Sequence, residues 1–443
     1  MAWTVTCSID GKEDVRPVSR LLRRLQERNP QLLELAVAWH QEGRIPTNCW
    51  LVDLDSVMAN ATVLQEAQDA AGLHTYLMTK QHARNPMVTG VALQAGLEST
   101  VSVDEQCVRA LARYGLPIGH VGHLNQIPRR AIPWVLERQP EVWTVYSLQH
   151  ARWISEAAAA SGRVQDVLLR VYAPGDVFFD GQEGGFPLDE VEAAAREIGQ
   201  LPGVRIAGTV AFPCVRYNAR RTDVVEPTPN FGTVVTAFER LKRAGYAVWQ
   251  VNAPGNTSAA TFPLLKREGA THVEPGNGLL GTTPSHAFRG DLPEVPVYCY
   301  VTEITHRYEG RSYAHGGGLF RDIYDPEEGL AALVARTPSA VHGEPVPADW
   351  VEQIIDYHLP LDDQGRGAVG DTVLLGYRTQ MHMTRSWSVV VTGLHRGNPE
   401  LAGIFDNATT MLDPATLTPL PADEATDRVQ RVLNQYASES TIP

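Results

Sequence analysis

Residues 247–278 read AVWQVN, APGNTSAA, TFPLLKREGA, THVE and PGNG in succession. The first block predicts a strand over 247–252, the middle a helix over 258–267, and THVE a second strand over 271–274. Between strand and helix lie Gly255 and the hydroxyl and amide side chains of Asn256, Thr257 and Ser258. Such a loop binds anions through backbone N–H groups and a helix N-terminus. It also reads as an ordinary capped helix, since Asn, Thr and Ser all serve as N-caps.

The same unit recurs upstream. Strand patterns fall at 76–80, 100–103, 118–122, 142–146, 167–172 and 205–211, with Ala-rich helical patterns at 57–71, 104–114, 148–161, 188–199 and 231–244. With 247–252 and 271–274 the strands number eight. Strand and helix alternating eight times predict an α/β fold, a (β/α)8 TIM barrel with its site at the C-terminal strand ends. Residues 1–45 read as a helical segment, with one helix over 17–43, and 46–290 as the barrel. From 291 to 443 helices become rare, and strands at 296–304, 371–376 and 386–393 alternate with Gly/Pro turns. That region reads as a mainly β domain, to which strand 50–54 also contributes.

The bulk properties narrow the function. A net charge of −13 lacks the basic footprint of a nucleic-acid binder. Five scattered cysteines form no CxxC pair, so neither a disulfide framework nor structural zinc is signalled. Reduced thiols, no apolar leader and no membrane-length run lead to the expectation of a cytoplasmic enzyme.

Lysine is scarce: Lys12, Lys80, Lys242 and Lys266 stand against 34 arginines. Lys80 closes the apolar run Tyr76-Leu77-Met78-Thr79 at the end of the first barrel strand. Burial there lowers the pKa of an amine and makes it a nucleophile for carbonyls; the plainer reading is a lysine snorkelling from a strand end. Glu274 closes the eighth strand before Pro275-Gly276-Asn277-Gly278. An amine, an anion cradle and a carboxylate around one barrel mouth are what pyridoxal 5′-phosphate requires.

Over 46–290 the chain resembles the alanine-racemase-type, fold type III PLP-dependent enzymes, with the YhfX-like branch nearest. The resemblance rests on IPTNCWLVDLDSVMANATVL (45–64), on Lys80, on AGLESTVSVDEQCVRAL (95–111), on VNAPGNTSAATFP (251–263) and on EPGNGLLG (274–281). It implies a Schiff base at Lys80 and cofactor contacts from Lys80, His82, Arg84, Phe212, Asn256, Thr257, Ser258, Glu274, Gly276, Asn277 and Gly278. It further implies an amino-acid substrate and a head-to-tail homodimer with shared active sites; no HExxH or paired His/Asp motif signals a metal, although the D-threonine aldolases share this type of barrel. A second base would come from Tyr313 of a partner subunit, with His315 as the alternative.

The chain departs from the racemase pattern at three places. Arg84 stands where a phosphate-contacting Tyr is usual, Phe212 where a His is frequent, and Glu274 where racemases carry Arg. Glu274 resembles the "EPG" sequence of fold type III decarboxylases, although no CxSxD follows. The expected activity is therefore a PLP-dependent amino-acid racemase or epimerase. Decarboxylase, non-catalytic PLP carrier and cofactor-free Schiff-base aldolase are the alternatives.

Overall fold

The computed structural model describes residues 19–218, 224–322, 329–349 and 355–439. Lys12 and Cys7 lie outside them. Eight parallel strands close into a barrel: His74–Met78, Ser99–Ser102, His120–Val121, Val142–Val145, Gln165–Tyr172, Val204–Val210, Gln250–Asn252 and His272–Val273. Closure is made where His272 and Val273 pair with His74 and Thr75. The two-residue side-chain period sorts the first strand: Tyr76 and Met78 join an apolar cluster with Val101, Val142, Leu168 and Val210, while Leu77 joins the layer packed by the surrounding helices. Strands buried on both faces are the expected form for a parallel sheet.

Several predicted elements are shorter in the structure. The strand at 118–122 contracts to His120–Val121, and 247–252 to Gln250–Asn252. The helix expected at 258–267 is a 3-10 turn, Ala259–Thr261, followed by the six-residue helix Phe262–Arg267. Pro263 suits the first turn of that helix. The single helix expected over 17–43 is two, Arg20–Arg28 and Pro30–Gln41. Proline lacks an N–H and disfavours helical backbone in the residue before it, so the break falls at Asn29 (φ −144°, ψ 52°).

The second unit is a ten-stranded sheet. Cys49–Asp53 lies inside it, antiparallel to Tyr298–Tyr308 and parallel to Trp387–Thr392. The two N-terminal helices bury Leu22, Leu25, Leu32, Leu33, Val37 and Trp39 against Cys49, Leu51, Val301, Leu374 and Val389 of this sheet. The region after 291 also ends in a helix, Ala422–Glu439, absent from the sequence reading. Its Leu433 packs at Gly90, on the barrel helix Pro86–Gln94. Among the described residues no helix is long and apolar enough to cross a membrane.

Candidate active site

A cavity of about 750 Å³ opens at the C-terminal end of the barrel, between it and the β domain. Lys80 lies two residues beyond its strand. The chain turns sharply there, with Ala83 and Arg84 both at φ 58°. The Lys80 carbonyl accepts hydrogen bonds from the N–H of Ala83 and of His382, each at 3.2 Å. Its side chain lines the cavity. Burial lowers the pKa of the amine; Asp322 opposes that shift and Arg378 adds to it.

Glu274 lines the same cavity from the last strand and is buried. Its Oε1 accepts from Nδ1 of His120 (2.7 Å) and Nδ2 of Asn252 (2.6 Å). An ionised carboxylate oxygen can only accept, which places a ring proton of His120 on Nδ1, while Nε2 lies 2.5 Å from the Thr144 hydroxyl. Burial alone would push the Glu274 carboxyl up. His123 and the bonds from His120 and Asn252 reverse that and hold it at about 2. Among the described residues Oε2 has no hydrogen-bond partner, and it stands 3.5 Å from Nε2 of His123. The interior thus holds an ionised carboxylate with one oxygen unpartnered.

The loops expected to form an anion cradle are built differently from that expectation. The six-residue helix after the loop is too short for a substantial dipole, and Glu294 takes the N–H of Ala259 (2.8 Å). What remains are single amides: among the described residues, the N–H groups of Asn256, Thr257, Gly276, Asn277 and Gly278 donate no hydrogen bond. Glycine is required here for close approach, since a Cβ on Gly278 would stand 2.2 Å from the Thr257 carbonyl oxygen.

Of the residues singled out by sequence, Lys80, Phe212, Asn256, Thr257, Glu274, Gly276, Asn277 and Gly278 line the cavity together. Phe212 meets the His123 ring edge-to-face at 5.7 Å. Ser258 lies behind the cradle, fully buried, its N–H bonded to Thr261 (2.9 Å). His82 and Arg84 are not at the cavity. Nε2 of His82 bonds Thr89 (2.9 Å), and Arg84 donates to the Asn407 carbonyl, because the left-handed turn carries both away from the strand axis. Tyr313, on strand Arg311–His315, stacks on His306 at 4.7 Å, outside this chain's cavity, and His315 is exposed.

The β domain supplies cavity residues that the sequence reading did not assign: Asp322, Arg378, Gln380 and His382. Met381–Met383 is one 3-10 turn, and its His382 lines the cavity. Burial, with Lys80 and Arg84, lowers the His382 pKa to about 4. Inside the barrel, the ligand atoms of His120, His123 and Glu274 lie within 4.8 Å of one another, a grouping that could hold a divalent ion. Polar residues at predicted strand ends were the available signal for His120 and Asn252.

Residues 52–284 match the family described as alanine racemase, N-terminal domain, and residues 299–401 match the YhfX-like C-terminal domain. The protein described as uncharacterized protein YhfX of Escherichia coli (strain K12) is 39% identical over 383 residues, covering 86% of this chain and 97% of the relative.

The chain belongs to this alanine-racemase-like family.

Solved members of the fold are more distant. Alanine racemase of Clostridium difficile 630, in complex with cycloserine, superposes with a TM-score of 0.58 at 19% identity, covering 82% of this chain and 99% of that one. D-threonine aldolase from Filomicrobium marinum gives 0.60 at 16%, covering 82% and 95%. D-threo-3-hydroxyaspartate dehydratase from Delftia sp. HT23 gives 0.60 at 14%, covering 81% and 97%. These likenesses establish the shared barrel-plus-sheet fold.

Proposed function

We propose that this alanine-racemase-like protein is a pyridoxal-phosphate-dependent racemase or epimerase of amino acids. One observation carries the reading: Lys80, Glu274 and the amide cradle of 256–257 and 276–278 border one cavity. The residues fit the cofactor. Lys80 would hold its aldehyde carbon, the cradle amides its phosphate, and the unpartnered Oε2 of Glu274 its ring nitrogen. When bound, the cofactor supplies an electron sink for charge developing at the substrate's Cα.

The chain's own residues do the rest. Lys80, whose pKa burial lowers, is the base for the α-proton. Glu274 stays ionised through His120 and Asn252 and so holds a proton at the atom it faces. Phe212 and Phe179, with ring centroids 5.6 Å apart, give the cavity an apolar stretch of wall. Racemisation needs a second proton-transfer group. The family resemblance assigns it to Tyr313 of a second subunit in a homodimer, whereas His382 is the candidate in this chain's own cavity. Decarboxylation is the second reading, favoured by Glu274 at the eighth strand. The β-domain side chains in the cavity speak for catalysis over mere cofactor carriage.

The test is the near-visible absorption of the protein given PLP, before and after borohydride, with the modified peptide mapped. Loss of the band with pyridoxyl on Lys80 is expected, followed by α-proton exchange of an amino acid in deuterated water. Lys80→Ala should abolish the covalent attachment. Label on Lys242 or Lys266, or no band, would overturn the cofactor assignment. Carbon dioxide release without α-proton exchange would select the decarboxylase.

A further inference from the structure

Two β-domain segments, Phe320–Asp322 and Arg378–His382, form one rim of the cavity. Three contacts join them: the N–H of Asp322 donates to the Arg378 carbonyl (2.9 Å), Arg321 bridges Thr379, and the Thr379 hydroxyl donates to the Phe320 carbonyl (2.7 Å). On this frame Nη1 of Arg378 lies 2.6 Å from Oδ2 of Asp322, and Nε2 of Gln380 donates to the same oxygen at 2.7 Å. The guanidinium is therefore fixed in direction. Its side chain is only 19% exposed, it lines the cavity with Lys80, and its buried Nε has no partner among the described residues.

A guanidinium offers five N–H donors, and a buried one needs acceptors for them. Asp322 meets part of that demand, and the guanidinium it holds lines the cavity. The other non-histidine cations along the cavity wall are Lys80 and Arg216. Lys80 is committed to a carbonyl in the function proposed above. Arg216 is exposed, on the short strand Val215–Tyr217. A planar fork held on its back by a carboxylate is matched to a second carboxylate on its front.

We propose that Arg378 is the residue that anchors the substrate's α-carboxylate, aimed by Asp322. The inference rests on the cavity being the cofactor site, and it deepens that reading in one respect. A carboxylate paired with a cation is stabilised as the ion, whereas loss of carbon dioxide moves that charge onto Cα and abandons the pair. The anchor therefore stabilises the ground state for decarboxylation but keeps its grip during α-proton removal. Arg378 thereby biases the site toward breaking Cα–H.

The experiment needs no knowledge of the natural amino acid and no turnover. Two stable conjugates, phosphopyridoxyl-glycine and phosphopyridoxyl-methylamine, differ only by the carboxylate. Each is titrated calorimetrically into the full chain freed of cofactor. The wild type should bind the glycine conjugate about tenfold or more tightly, the scale of a hydrogen bond to a charged group. Arg378→Met should bind both equally, and Arg378→Lys should restore part of the preference. Equal binding of both conjugates by the wild type, or a preference that survives in Arg378→Met, would overturn the assignment while leaving the cofactor site standing. Binding of neither conjugate would overturn the cofactor reading and this one with it.

Discussion

Nδ1 of His120 donates to Oε1 of Glu274 across 2.7 Å, although 154 positions separate them in the chain. The third and eighth barrel strands thus cooperate to keep one carboxylate ionised in a buried site. His120→Gln removes a hydrogen bond to a charged group, about 1.5–3 kcal/mol. The Glu274 pKa should rise by about one to two units, since 1.36 kcal/mol corresponds to one unit. The acid limb of the pH–rate profile for α-proton exchange should move up by that amount. An unmoved limb would take Glu274 out of the profile.

His382 and Tyr313 separate by where each acts. His382→Gln should slow α-proton exchange by about a hundredfold, the scale of general acid–base catalysis, and unequally for the two enantiomers. If the second proton comes instead from a neighbouring subunit, Tyr313→Phe carries that asymmetric loss. The discriminating measurement is enantiomer-specific solvent deuterium exchange for both variants under identical cofactor saturation.

Buried histidines make the fold acid-labile. Burial holds His82, His123 and His272 neutral, each with its pKa pushed down to about 3 from 6.5. Between those values the unfolded chain binds protons that the folded chain refuses, so stability falls as pH drops from about 6.5 toward 3. His82 tests this away from the cavity, because it contacts Thr89 rather than the site lining. His82→Gln should reduce the slope of unfolding free energy against pH in that window by about 1.4 kcal/mol per unit, measured by urea titration. An unchanged slope would mean that His82 is not held neutral.

The two cradle glycines should differ. A Cβ on Gly276 would meet Oε1 of Gln81 at 2.4 Å, the unpartnered end of a flexible side chain that can turn aside. A Cβ on Gly278 meets the Thr257 backbone, which cannot move without distorting the cradle. Gly278→Ala should weaken PLP binding by at least about tenfold and more than Gly276→Ala does, as read by fluorescence titration. The opposite order would place the phosphate elsewhere.

Much of this was legible in the chain. The strand–loop–helix–strand of 247–278, Lys80 after an apolar run and Glu274 before a Gly-rich turn are local patterns, and the barrel brings them to one mouth. Local pattern also misled in places. His82 and Arg84 stand beside Lys80 in sequence, yet the left-handed turn at Ala83–Arg84 points them elsewhere.

By itself the sequence determined the barrel, and it set Lys80, Glu274 and the glycine-bearing loops at the strand ends that line one cavity. Periodicity and turn chemistry act over a few residues and survive without knowledge of the rest of the chain. Only the tertiary structure decided that His120 and Asn252 orient Glu274, and that Asp322, Arg378 and His382 complete the cavity. Those side chains meet through the closure of one sheet and the docking of another upon it. Such long-range packing fixes distances that no local spacing encodes.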